Sequence, residues 1–250
     1  MAITRVRQTN AGTFNKTAVT TWTLTLSGTP TVGNTLLLYI GGINALSITS
    51  IVQGGSNSNW TSVYTSTNTN TNVYVYALNV TAGSNTTVTL TLGSANNRFY
   101  SICEEISGLV NTSWLDKSTN TISASTNTPT TGTTATTTSS NEYWVNLYFY
   151  YSLDGDAQGS SPTNSYTLYN SGTPIRFSDT GWLGGSNGVV PALFSGVMMA
   201  YKIVSTVGTA GGGITDSLAN LSAYNSVALA FSGTSGDVVA TRRRVSSSFL

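Results

Sequence analysis

Histidine is missing from this chain, and cysteine occurs once. Without histidine there is no Ser-His-Asp or Cys-His catalysis, no histidine-ligated zinc and no imidazole switch near neutral pH. The single cysteine, Cys103, excludes an intrachain disulfide. Set in Tyr100-Ser101-Ile102-Cys103, it reads as a small buried hydrophobe. Charge is scarce as well: 8% of residues are charged, and the net charge is +1. That balance argues against nucleic acid as a partner, because a phosphate-binding domain carries a clear basic excess. No run approaches the ~18 apolar residues of a membrane helix. The longest, Leu36-Leu37-Leu38-Tyr39-Ile40, has strand length. Met1–Arg7 is followed by Gln8-Thr9-Asn10 and not by an apolar stretch, so no secretory leader is expected.

What remains is Thr, Ser, Asn and Gly around regular Val, Leu, Ile and Tyr runs. A chain of 250 residues suits one large β domain and buries roughly 70–75% of its unfolded surface without disulfides. Period two dominates. Thr21–Leu26 alternates polar with apolar, placing Trp22, Leu24 and Leu26 on one face; Val88, Leu90 and Leu92 do the same in Thr86–Leu92. Further strands are expected at Leu36–Ile40, Ile48–Gln53, Trp60–Tyr64, Asn72–Leu78, Phe99–Ile106, Tyr143–Tyr151, Ser165–Tyr169, Phe194–Val204 and Ser226–Phe231. Turn chemistry separates them, as at Ser27-Gly28-Thr29-Pro30 and Gln53-Gly54-Gly55-Ser56-Asn57. No stretch combines a 3.6 period with a cap and good helix formers. The pattern predicts an all-β sandwich or barrel.

The organisation reads as an N-terminal arm (1–7), one β domain (8–233) and a basic C-terminal arm (234–250). Residues 118–140 are nearly all Thr, Ser, Asn and Ala, and read as a surface excursion or edge hairpin that cannot fill a core. The alternative is an arm that pairs with a neighbouring subunit's sheet edge. Residues 152–190 form a Gly/Ser/Asn-rich loop region punctuated by aromatics.

Carboxylates are the only acid–base chemistry left. Glu104 and Glu105 are adjacent on a strand, so they face opposite ways and cannot act as a pair. Either could meet Glu142 or Asp179 through the fold, as a glycosidase pair would require. No catalytic, cofactor or metal residues are assigned, and the chain is read as a non-enzyme. Asp154-Gly155-Asp156 is read as a turn, with calcium as the alternative. Arg242-Arg243-Arg244 is the one dense charge cluster. With Arg5 and Arg7, and with Phe249 and Leu250 as apolar anchors, it is assigned to docking on a neighbouring subunit. Trp182, between Gly181 and Leu183-Gly184-Gly185, is assigned with Tyr166 and Tyr169 to a sugar-stacking platform.

One succession of segments has a counterpart elsewhere. Thr29-Pro30-Thr31-Val32-Gly33-Asn34-Thr35-Leu36 precedes Ile48–Val52, Trp60-Thr61-Ser62-Val63, the aromatic strand Val73–Leu78, Ala82-Gly83, Val88–Leu92 and Glu105-Ile106-Ser107-Gly108-Leu109. This order resembles a diffuse group of bacterial and bacteriophage β-sandwich proteins, jelly-roll-like in fold and found among virion components. The likeness covers most of residues 20–110 and returns weakly at Ala223–Phe231. It implies a jelly-roll-like antiparallel β-sandwich, with Glu105 held by a structural partner, and it carries no shared catalytic site. The function expected is that of a virion structural protein: a capsid decoration (cement) protein or a small tail- or fibre-associated one. It would form a homo-oligomer, a trimer by preference, with other virion proteins as partners and no membrane contact. The alternative is an extracellular or cell-surface carbohydrate-binding module or adhesin subunit that recognises host glycan.

Overall fold

The apolar runs of the first half alternate between two different cores. A computed structural model describes residues 1–9, 18–43, 46–54, 59–68, 71–81, 85–96, 99–123, 130–152, 173–175, 194–213 and 223–234. Its first eight strands are β1 (Thr4–Gln8), β2 (Val19–Thr25), β3 (Thr35–Ile43), β4 (Ile48–Gln53), β5 (Thr61–Thr67), β6 (Thr71–Asn79), β7 (Thr87–Asn96) and β8 (Phe99–Ser107). They form a central sheet in the order β1-β8-β3-β6-β5 and an upper sheet in the order β2-β7-β4. Strands β1-β8-β3-β6 facing β2-β7-β4 reproduce the winding of a jelly roll, with β5 moved onto the edge of the central sheet beside its hairpin partner β6.

The second half adds layers that a simple sandwich lacks. It contributes β9 (Leu115–Ser123), β10 (Thr130–Thr133), β11 (Glu142–Ser152), β12 (Thr173–Ile175), β13 (Phe194–Val204), β14 (Gly211–Gly213) and β15 (Ala223–Ser232). A lower sheet runs β12-β13-β11-β15-β9, and β10 pairs with β14 in a separate ribbon. The central sheet is therefore buried on both faces. Leu36, Leu38, Ile40, Leu78 and Cys103 pack upward against Leu24, Val88 and Leu90, while Leu37, Tyr39, Val75 and Ile102 pack downward against Tyr143, Leu147, Phe149 and Leu229. A strand whose two faces enter two cores has no polar alternation to display, which explains the uninterrupted runs in β3 and β8. Cys103 is fully buried, as expected, and burial first, then the neighbouring glutamates, push its thiol pKa up, away from reactivity.

Among the described ladders, bulges occur where an edge strand is one of the partners. Register shifts fall on β1, β4, β5 and β9 where each pairs inward, on the β2–β7 ladder, where four residues of β7 oppose one of β2, and on the β10–β14 ribbon; the ladders β3–β6, β3–β8, β11–β13 and β11–β15 run without a break. This is how edge strands are kept from unwanted pairing.

Two expectations need correcting. Residues 1–7 are no free arm: Thr4–Gln8 is the edge strand β1, and the Met1 ammonium donates to Thr234 Oγ1 at 3.3 Å. The Thr-rich stretch 118–140 lies at a sheet edge, as one of its two readings had it, but it also enters a buried layer, which that reading excluded. It supplies most of the edge strand β9, and its second half lies across the lower sheet with Thr131, Thr134 and Thr137 buried. Hydroxyl chemistry makes that burial tolerable. The amides of Gly212, Ala210 and Gly208 donate to the hydroxyls of Thr131, Thr134 and Thr137 at 2.9, 2.9 and 3.1 Å. In return Thr134 N–H reaches the Ala210 carbonyl at 2.8 Å and Thr137 N–H the Gly208 carbonyl at 2.7 Å. A threonine every third residue thus satisfies a facing backbone at every second one. Thr134→Val keeps the shape but leaves the Ala210 amide without its hydroxyl acceptor. Urea unfolding should register a loss of about 1–3 kcal/mol.

Candidate functional site

Among the described residues the carboxylates gather in three places, and the first lies between the sheets. Strand β8 turns Glu104 downward and Glu105 outward, as the adjacent positions require. Glu104 is fully buried. Its Oε2 accepts from Arg5 Nε at 2.6 Å, and its Oε1 accepts from the hydroxyls of Tyr39 and Tyr143, each at 2.9 Å. Arg5 also donates to Gln8 and lies over the Tyr201 ring, 5.3 Å from its centre. The cluster ties β1, β3 and β8 of the central sheet to β11 and β13 of the lower one. Burial raises the Glu104 pKa; the Arg5 guanidinium and the two phenols oppose it. Burial, and then the Glu104 charge, push the Tyr39 and Tyr143 phenols well above their ordinary value.

The second cluster closes the edge of the jelly roll. Glu105 accepts from Arg7 Nε at 3.1 Å, from the Thr31 amide at 2.9 Å and from Asn34 Nδ2 at 2.5 Å. The structural partner expected for Glu105 is present. Arg5 and Arg7, assigned from sequence to docking, are instead held by glutamates of their own chain, because β1 lays them along β8.

The third cluster was not foreseen. Glu142 begins β11 and faces away from the central sheet, so it meets neither Glu104 nor Glu105, the partners left open by the sequence. It meets Asp116 of β9. Glu142 is fully buried, and its Oε2 accepts the Trp144 indole N–H at 2.6 Å. Asp116 accepts from the Thr138 amide at 2.5 Å, from the Thr138 hydroxyl at 2.6 Å and from Lys117 Nζ at 2.9 Å. Burial works to raise Asp116, but Thr138 and Lys117 outweigh it and hold the carboxyl well below the usual range. Burial pushes Glu142 up to about 7; the Trp144 hydrogen bond offsets part of this and the facing Asp116 adds to it. Two acids with pKa values driven apart have the signature of an acid–base pair. Here the threonine segment lies over the pair, with Thr138 bonded directly to Asp116. The sequence did offer one signal: Asp116-Lys117 and Glu142 bracket residues 118–141, a run without an ionisable side chain.

A cleft opens at the end of β6. It has a volume of about 200 Å³ and is lined by Asn59, Leu78, Asn79, Thr81 and Trp114. Asn79 is fixed by donating to the Asn111 carbonyl at 2.6 Å and accepting from Thr35 Oγ1 at 3.3 Å. Trp114 follows Ser113, the one described non-glycine residue with positive φ (53°). Trp182, Tyr166, Tyr169, Asp154, Asp156, Asp179, Arg242, Arg243, Arg244, Phe249 and Leu250 lie outside the described residues. Among the described residues no three His, Cys, Asp or Glu side chains come together as metal ligands. Comparison with protein-family models, with curated proteins and with solved structures finds no match to this chain.

Proposed function

We propose that this protein is a non-enzymatic virion structural component, a capsid decoration protein or a small tail- or fibre-associated one, that assembles as a closed homo-oligomer, a trimer by preference. The observation that carries this reading is a jelly roll thickened by a further sheet, in which the buried acids join strands and sheets to one another. Such a stack is a stiff body, and its described charges are engaged in holding its shape. Association runs along β9, the outer strand of the lower sheet. Its bulge lies at the Leu115 end, which leaves Ser118–Ser123 regular and uncharged, with Ile122 exposed. An uncharged edge with open backbone groups is a template for a second chain.

The mass in solution, measured by light scattering, should be that of a small closed oligomer, and Ile122→Lys should shift it to a monomer. Imaging of the native particle should place the chain on the virion. A monomeric wild type at 100-micromolar concentration, on the order of the affinity of weak assemblies, overturns the assembly reading. Absence from purified particles overturns the virion assignment.

A second reading, recognition of a neutral glycan, is favoured by the cleft at Trp114, where one indole and the Asn59 and Asn79 amides converge without a charge. Binding on a glycan array that disappears in Asn59→Ala/Thr81→Ala would support it.

A further inference from the structure

A chain without histidine still contains a group placed to change charge between mildly acidic and neutral pH. Residues 130–138 and 207–213 form a flap on the outer face of the lower sheet, held together by the threonine hydroxyls described above. Beneath it lie Trp144, Ala228 and Ala230. A Cβ at Gly208 would meet the Trp144 ring at 3.0 Å, tighter than an ordinary contact. One end of the flap is fastened to Asp116 through Thr138, and Thr137, which grips Gly208, sits beside Glu142.

The polar accounting at this point is incomplete by one hydrogen. Glu142 Oε2 accepts from Trp144, whereas Oε1 is buried without a hydrogen-bond partner: the Thr137 hydroxyl beside this carboxyl donates to the Ser139 carbonyl at 3.4 Å, and the other neighbour of the carboxyl is that of Asp116. A proton on Oε1 removes one of two adjacent charges and turns an orphan acceptor into a donor toward Asp116. No other charge on the elements packed here can do this. From β9 come Asp116 and Lys117, and the ammonium is on Asp116. From β13, Lys202 stands opposite Trp144 and Val204 opposite Glu142; from β15, Ser232 stands opposite Glu142. Residues 130–141 and 205–213 contain no ionisable side chain.

We propose that Asp116 and Glu142 form a shared-proton latch that keeps the threonine flap closed on the lower sheet while Glu142 is protonated and loosens it as Glu142 ionises. The inference does not depend on the reading of function. Its sign follows from linkage. Closed, the Glu142 carboxyl is pushed up to about 7; open to water, it returns to the ordinary range near 4.3. The closed state is thus favoured fully below the open-state value, loses that advantage as pH rises between the two, and is unaffected above the higher one. One proton changes the opening equilibrium by at most about tenfold per pH unit in that window.

The test is hydrogen exchange at the Gly208, Ala210 and Gly212 amides from about pH 3.5 to 8.5, the span that brackets both ionisations, with rates corrected for intrinsic chemistry. Protection in the wild type should fall on the order of tenfold or more across the window and then level off. Glu142→Gln, which keeps an acceptor for Trp144 and a donor for Asp116, should hold the acid-form protection throughout. Glu104 lies on the opposite face of the lower sheet, so this variant leaves its titration in place. A flat wild-type profile, or a Glu142→Gln profile that follows the wild type, overturns the latch. Direct titration of the Glu142 carboxyl by carbon NMR in the wild type decides the matter independently of the variant: a midpoint near that of a free carboxylate overturns it as well.

Discussion

Arg5→Met is expected to lower stability by about 3 kcal/mol at pH 8, because it leaves Glu104 buried beside two phenols with no countercharge. The figure sits at the low end for a broken buried pair because Arg5 itself retains 17% exposure, and water can reach the space it vacates. The loss should depend on pH. Without the guanidinium, the burial that already raises the Glu104 pKa acts unopposed by charge, and the acid escapes its penalty by taking up a proton. An acid raised in the folded state contributes stability below its unfolded value and loses it as pH rises. The deficit relative to wild type should therefore be small near pH 4 and grow toward neutrality. Adding Glu104→Gln should recover most of it, since the amide oxygen still accepts from Tyr39 and Tyr143 while the charge is gone. Urea unfolding of the wild type and the two variants at two pH values checks the prediction; an Arg5→Met variant as stable as wild type at pH 8 would mean the cluster does not join the sheets.

That cluster also marks where sequence reading stopped. Strands such as β4 and β13 were legible to the residue, because β-branched and aromatic side chains crowd them and turn residues bound them. Strand β1 was not, since Thr4-Arg5-Val6-Arg7-Gln8 carries its charges where a buried strand would carry apolar groups. Only the pairing with Glu104 and Glu105, nearly a hundred positions away, makes those charges structural. The same holds for residues 130–138. Threonine was counted as unable to fill a core, and the rule fails when each hydroxyl meets a backbone amide of the facing segment, a match visible only once Gly208–Gly212 lies alongside. The central runs of β3 and β8 were read correctly as strands, but a run says nothing of which sheets cover its two faces. The third layer of the stack therefore remained hidden. At the site, the opposite orientations of Glu104 and Glu105 followed from pleat geometry alone, whereas the encounter of Asp116 with Glu142 depends on β9 and β11 both pairing with β15.

The stacking of the lower sheet on the jelly roll has its own sharp test in Phe149. The ring is fully buried, meets Tyr100 edge-on with centres 6.1 Å apart, and lies directly over Gly41 of β3. Phe149→Ala removes this filling from the core shared by the two sheets and should cost about 4 kcal/mol. Gly41→Val in the wild type should also destabilise, by about 1–3 kcal/mol, because even a Cβ at that position collides with the ring. Combined, the changes should not add. Valine suits an extended strand, and in the Phe149→Ala background its methyl groups grow into the space the ring has left. The double variant should then be more stable than Phe149→Ala alone, a coupling well above the few tenths of a kcal/mol seen for independent sites. Strict additivity would place residues 41 and 149 out of contact. The lower sheet would then have to cover the central sheet in some other register, or not cover it at all.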